Sequence, residues 1–195
     1  MTTDVDQSAP EDADDSAIAG ERARAWLADN LPALESSNRH VEQHGLPLRP
    51  GVSIDVLTRF AGACRQGLLG LTNRPGSMFN GFPRGACGPA AELVGRLLKE
   101  RHGLDGVYVC GAGHPTLSAS QSHAWFEAGG LIFDLTHDQF SGTGVDGWVM
   151  RLDSPWHQAF SDQDRRPGFC MPAGWPMYPH DGYAAMTAAL EAAVG

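Results

Sequence analysis

Residues 122–136 read Ser-His-Ala-Trp-Phe-Glu-Ala-Gly-Gly-Leu-Ile-Phe-Asp-Leu-Thr, two short arms about Gly129-Gly130. A Gly-Gly pair between apolar-rich arms favours a two-residue reversal, so the segment is predicted to be a β-hairpin. That reversal sets Ala128 against Leu131, Trp125 against Asp134 and His123 against Thr136. Side chains alternate along a strand, so Ala124, Phe126, Leu131, Phe133 and Leu135 share one face, the predicted core face. His123 and Asp134 then lie diagonally on the other face, within side-chain reach, directed toward whatever packs or binds opposite.

Around the hairpin the periodicity predicts helices. Ile54, Leu57, Phe60, Ala61, Cys64 and Leu68 form one stripe, with Ser53 placed to cap it. Ala90, Ala91, Val94, Leu97 and Leu98 form another, ending at Arg101–Gly103 with basic residues in the last turn and glycine beyond. A helix from Ile18 with Leu27, Leu31 and Leu34 is expected earlier, with Pro32 kinking or ending it. A closing helix is expected over 183–193, with Met186 and Leu190 inward. Short strands are predicted at 106–111 and 148–152. The Pro/Gly-rich stretch 154–182 has no clear period, leaving open whether it walls a cleft or lids it. The fold class is therefore α+β, with helices on a small antiparallel sheet.

Cys87 follows the loop 70–86, rich in Gly, Pro, Arg and Asn, and opens the Ala90–Leu98 helix. A helix start presents unpaired N–H groups and partial positive charge, which stabilise a thiolate. The same groups can cradle an oxyanion. Gly85 and Gly88 keep the surroundings of the sulfur open, and Pro89 suits the first turn. A cysteine, a histidine and an aspartate brought together would act as nucleophile, proton carrier and imidazole orienter. Taken singly, each has a plainer reading: a buried small hydrophobe, an ordinary strand histidine, a turn-edge carboxylate. Aspartate is nonetheless unfavourable in a strand. Asn80, Gly88 and Gln139 are candidate oxyanion or substrate contacts. Trp125 is expected to cover the His–Asp bond or wall the cleft. His137 and Asp138 form an alternative pair.

Phe82-Pro-Arg-Gly-Ala-Cys87-Gly, Ser122-His123-Ala-Trp125-Phe-Glu and Ile132-Phe-Asp134-Leu-Thr together resemble the transglutaminase-like branch of papain-type thiol enzymes, over roughly residues 79–141. Arylamine N-acetyltransferases have a similar core. The resemblance implies a papain-like fold and thioester chemistry, with Cys87 as nucleophile, His123 as base and Asp134 as third member. Gly85-Ala86-Cys87-Gly88 departs from the Gly-Gln-Cys-Trp of classical transglutaminases, and Arg84-Gly85-Ala86-Cys87 only approximates the Arg-Gly-Gly-x-Cys of the arylamine enzymes. The resemblance thus implies no particular substrate.

The chain carries 23 acidic and 14 basic side chains among 195 residues, for a net charge of -9. Asp4, Asp6, Glu11, Asp12, Asp14 and Asp15 stand in residues 1–16 with no basic residue, so this stretch is expected to be a disordered acidic tail. Residues 17–195 are then expected to form one near-neutral catalytic domain. The charge argues against nucleic-acid binding. The lack of a long apolar run argues against a membrane span, and the acidic start does not read as a signal peptide, so the cytoplasm is expected. Cys64, Cys87, Cys110 and Cys170 are well separated, which does not suggest a disulfide framework. A zinc site drawing on Cys87, His123 and Asp134, with Cys110 and His114, competes for the same residues but lacks paired short spacing; no metal or cofactor is expected. His157, His180 and Cys170 show no interpretable spacing.

These readings converge on a cysteine-dependent hydrolase of an amide or peptide bond, meaning a peptidase, amidase or protein-glutamine deamidase. Its substrate would be a peptide, a protein or an amide-bearing small molecule. The alternatives are a transglutaminase-type or coenzyme A-dependent acyl transferase, and a non-catalytic interaction domain presenting Trp148, Trp156, Phe160, Trp175, Tyr178 and Tyr183. Separation of the Cys87 sulfur from the His123 ring by more than about 6 Å would remove the enzymatic readings.

Overall fold

The computed structural model describes residues 28–32, 52–167 and 178–193. Its contacts divide the chain into two units, Met1–His44 and Gly45–Gly195. In the first, residues 28–32 are helical and Leu31, predicted to lie on an apolar face, is exposed. The expected acidic tail 1–16, and Leu27 and Leu34 of the predicted first helix, lie outside the described residues.

In the second unit the described elements run α1 (Ile54–Leu69), α2 (Cys87–His102), β1 (Gly106–Ala112), β2 (His123–Ala128), β3 (Leu131–Phe133), a 3-10 turn (His137–Gln139), β4 (Val149–Arg151), α3 (Pro155–Gln158), β5 (Asp162–Pro167) and α4 (His180–Ala192). The strands form one antiparallel sheet in the order β4-β3-β2-β1-β5. The α+β class read from the sequence is the one observed.

The hairpin has the predicted register, with Ala128 opposite Leu131 and Phe126 opposite Phe133. Gly129 and Gly130 both take positive φ, 58° and 77°, as the tightest right-twisted reversal requires. Regular pairing stops at Phe133, so Asp134 leaves the strand and is not held opposite Trp125. Helix α1 begins where expected, with the Ser53 hydroxyl accepting from Val56 N–H at 3.3 Å. Ile54, predicted inward, is instead 55% exposed. It stands at the edge of the apolar stripe in the terminal turn, and Arg65 is buried on the helix as well.

The sheet has two covered faces, where the hairpin pattern suggested one. Ala124, Phe126, Ala128, Leu131 and Phe133 join Leu93, Val94, Leu97 and the inward residues of α1 in the larger core. Gly95 lets α2 approach the Phe126 ring closely, since a Cβ there would stand 2.4 Å from the ring. Val109, Trp125 and Ile132 on the opposite face meet Trp156 and Phe160 in a second core. These last two belong to the stretch without a clear period, which therefore builds structure: the short helix α3 and the edge strand β5. Their burial also removes two aromatic residues from any surface offered to a partner. Among the described residues no helix is long and apolar enough to cross a membrane.

Helix α4 lies along α1, closely enough that a Cβ on Gly67 would stand 2.5 Å from the Ala185 carbonyl oxygen. Gly62, in the same helix, faces open space. Two glycine-to-alanine changes in α1 should therefore have opposite signs. Gly67→Ala should destabilise by about 1–3 kcal/mol, because backbone must move to admit the methyl. Gly62→Ala should stabilise by about 0.5–1 kcal/mol through helix propensity. Urea unfolding of both variants checks this, and a shared sign would refute the packing described.

Candidate functional site

Cys87 is the first residue of α2, and its N-cap, Ala86, has no side chain able to cap. The first intrahelical-type bond runs from Ala90 N–H to Ala86 carbonyl. The N–H groups of Cys87 and Gly88 are therefore left over by the helix, and Pro89 has none. The chain enters this end through Gly85, whose φ of 68° turns it in a way side-chain-bearing residues rarely adopt.

Helix α2 packs against the Phe126 face of the sheet, whereas His123 shares the opposite face with Trp125. The helix that carries Cys87 thus does not lie opposite the His123 face of the sheet. The Cys87 thiol and the His123 ring perturb each other's ionisation, and the backbone N–H groups of Ala124 and Gly88 add to the effect on the sulfur. His123 Nε2 lies 2.6 Å from Asp134 Oδ2. That bond commits Nε2 to the carboxylate and leaves Nδ1 beside Gln139 Nε2. The structure therefore brings His123 and Asp134 into direct contact, with Cys87 close enough to act on the ionisation of His123.

Asp134 is 1% exposed and all its hydrogen-bonding capacity is used. Oδ1 accepts from Thr136 N–H at 2.9 Å and from the Thr136 hydroxyl at 3.2 Å. Oδ2 accepts from His123 and, at 3.1 Å, from His157 Nε2. His157 Nδ1 in turn lies 2.8 Å from Ser154 Oγ. Burial pushes the Asp134 pKa up, but the charge and hydrogen bond of His123 and the hydrogen bond of His157 outweigh it and hold the carboxyl far below its usual range. For His123, burial pulls the pKa down, and the Asp134 charge, the Asp134 bond and Cys87 together lift it to about 9. For Cys87, burial pushes upward, while His123 and the two backbone N–H groups bring the thiol below its ordinary value.

Aromatic rings close around the imidazole. Phe140 and Trp156 stand edge-on, each 5.2 Å from it between centroids, and Trp125 lies at 6.0 Å. Trp125 is fully buried, donates from Nε1 to Glu127 Oε1 at 2.9 Å, and also touches the His157 ring at 5.0 Å. Its place is that of a cover over the histidines. Gln139 is tied at both ends: Oε1 accepts from Gly85 N–H at 3.2 Å, and Nε2 donates to the Thr136 carbonyl at 3.0 Å and lies 3.4 Å from His123 Nδ1. It links the loop before Cys87 to the turn after Asp134. Gly88 stands beside the sulfur. Asn80 is exposed in the preceding loop, and among the described residues no hydrogen bond ties its side chain to Cys87.

The alternative pair His137 and Asp138 does not form. Asp138 pairs with Arg65 at 2.6 Å, and His137 Nε2 meets the Gly147 carbonyl at 2.7 Å. Arg65 also donates to the Leu135 carbonyl and stacks over Trp148 at 3.9 Å, so α1 braces the segment that carries Asp134. His114 turns Nδ1 to Thr116 and packs on Trp156 and Phe160. No group of three or more His, Cys, Asp or Glu that could hold a metal occurs among the described residues. His157 and Arg65 are the site residues that spacing did not reveal. Ser154-Pro155 is a helix-start signal that would have placed His157 in a first turn.

The described thiols should react in order of environment. Alkylation of Cys87 should follow an apparent pKa below the ordinary 9.0, whereas Cys64, fully buried and pushed upward by desolvation, should not react in the folded protein. His123→Ala removes the leading downward influence and leaves the burial, so the Cys87 step should move above 9.0. Iodoacetamide rates against pH, read by peptide mass spectrometry, check both; equal rates at Cys64 and Cys87 would contradict the geometry.

No protein-family model matches this chain, and neither a curated protein nor a solved structure does, so the site is described by its own residues alone.

Proposed function

We propose that the protein is a cysteine-dependent hydrolase that cleaves an amide or peptide bond through a thioester on Cys87, on a papain-like/transglutaminase-like core. One observation carries this reading: a helix-start thiol whose ionisation is favoured by a nearby imidazole that is itself fixed at 2.6 Å on a buried carboxylate. The Cys-His-Asp order and its resemblance to thiol enzymes support it. The substrate class is a peptide, a protein or an amide-bearing small molecule.

In the proposed reaction the Cys87 thiolate attacks the amide carbon and the carbonyl electrons move onto oxygen. The N–H group of Cys87, left over by the helix, is available to receive that charge. The His123 imidazolium gives its Nδ1 proton to the nitrogen as the carbon–nitrogen bond breaks, releasing an amine and leaving the acyl group on sulfur. Neutral His123 then takes a proton from water and the resulting hydroxide attacks the thioester, restoring thiolate and imidazolium and releasing a carboxylic acid, which gives its proton to solvent. Asp134 stays ionised throughout and keeps the proton of His123 on Nε2, so that Nδ1 does the transfer.

Asparagine cannot replace Asp134 without conflict, because donors occupy both carboxylate oxygens. Either orientation of the amide turns its NH₂ toward a pair of donors. On a panel of peptide amides and glutamine peptides, Cys87→Ala should abolish turnover and acyl-adduct formation. His123→Ala and Asp134→Asn should each lower kcat/KM by about 10²–10⁴ with the fold intact. Adding a primary amine separates hydrolysis from acyl transfer, since capture of the acyl group by the amine in preference to water would identify a transferase. A Cys87→Ala variant as active as the wild type, or a wild type forming no adduct with any panel member, would end the proposal.

A further inference from the structure

The Asp134 carboxylate serves two histidines. His157, from α3, donates Nε2–H to the same Oδ2 that accepts from His123, at 3.1 Å against 2.6 Å. Its ring is 1% exposed, wedged between Trp125 and Trp156, each 5.0 Å away between centroids. Its Nδ1 is fixed by Ser154 Oγ at 2.8 Å. With Nε2 donating to the carboxylate, the ring is held at both nitrogens. A ring so placed has no freedom to leave the carboxylate.

We infer that His157 is a positioning residue of the Cys87 site: by sharing Asp134 Oδ2 with His123, it sets how tightly the carboxylate holds the His123 imidazolium. A hydrogen-bond donor on a buried carboxylate stabilises the anion whatever the state of the carboxylate's other partner. Each share of Oδ2 lone-pair density taken by His157 is withheld from the bond to His123. The carboxylate is thereby kept ionised in a dry pocket without holding the imidazolium so firmly that His123 cannot hand on its Nδ1 proton. The other titratable or charged groups acting on the pair, from the elements packed around it, are Cys87 of α2 on His123 and, by longer-range charge, Arg65 of α1 on Asp134. Neither occupies the position of His157.

The inference rests on the thiol-enzyme reading for its role in turnover, but its direct test needs no substrate. Histidine-ring NMR of the full chain, with His123→Gln to assign the resonance, follows loss of the His123 proton against pH. In His157→Leu the step, near 9 in the wild type, should move up by about one pH unit, because Oδ2 is left to His123 alone. His157→Gln, whose amide N–H reaches about as far as Nε2–H, should return the step to its wild-type position. A leucine that merely loosened the packing would not be rescued in this way. If His157→Leu does not fold, Ser154→Ala decides: releasing Nδ1 should move the same step upward by a smaller amount. An unchanged or lowered step in the folded leucine variant, a glutamine variant displaced as far as leucine, or an unmoved step in Ser154→Ala used in its place overturns the inference. Should the substrate panel show no turnover while the NMR step moves and is rescued, the function fails and the coupling of the two histidines stands.

Discussion

An ionised carboxylate with almost no exposure, set among tryptophan and phenylalanine rings, is the constraint around which the site is organised. Removing such a charge from water costs several kcal/mol even after relaxation, so it is tolerable only when nearly every lone pair meets a donor. Asp134 meets four: two from Thr136, one from His123 and one from His157. Each donor comes from a segment that had to be brought there. Thr136 follows directly in the chain, His123 comes from the far arm of the hairpin, and His157 comes from a helix twenty-three residues on. The carboxylate thus fixes the end of β3, the start of β2 and the seat of α3 relative to one another.

The two-faced sheet sets His123 and the helix that carries Cys87 in different layers. Helix α2 needs the Phe126 face, where Gly95 lets it settle against the ring. His123 needs the opposite face, where the second core supplies a dry, aromatic surround. Strand β2 begins with His123, and helix α2, which begins with Cys87, packs against the same strand from the other face. Gln139 and Arg65 hold this arrangement from behind: one fastens the loop entering α2, and the other braces the segment leaving Asp134.

Much of this was legible in local patterns, because local physics decides it. The hairpin register follows from alternation and two glycines, and the ends of α2 from a helix-start cysteine and a helix-stop glycine. The proximity of His123 and Asp134 follows from the register, although Asp134 completes the contact after leaving the strand. Strand β5 was not legible: Asp-Gln-Asp-Arg-Arg-Pro has charge where strands have branched apolar residues, and it pairs as an exposed edge. Its Arg165 reaches Glu127, a long-range pairing that no local period announces. His157 escaped for the same reason, its meaning residing wholly in a contact distant in sequence. Arg65 sat near an apolar stripe that predicts hydrophobes, and only the carbonyl and carboxylate waiting across the fold explain its burial.

Three described cysteines in this fold show how little the residue type alone decides. Cys64 lies in the body of α1, wholly enclosed; burial raises its thiol pKa, and it acts as a small hydrophobe. Cys110, half-buried on β1, is raised by burial and by the nearby Cys87, with a Ser122 hydrogen bond opposing them. Cys87 is also largely enclosed, yet its balance falls the other way, because enclosure is met by an imidazolium and two backbone N–H groups. Exposure is therefore not what distinguishes a reactive thiol here. What distinguishes Cys87 is whether the groups around the sulfur outweigh the water it has lost, and the foremost of them, His123, is itself held by a carboxylate 2.6 Å away.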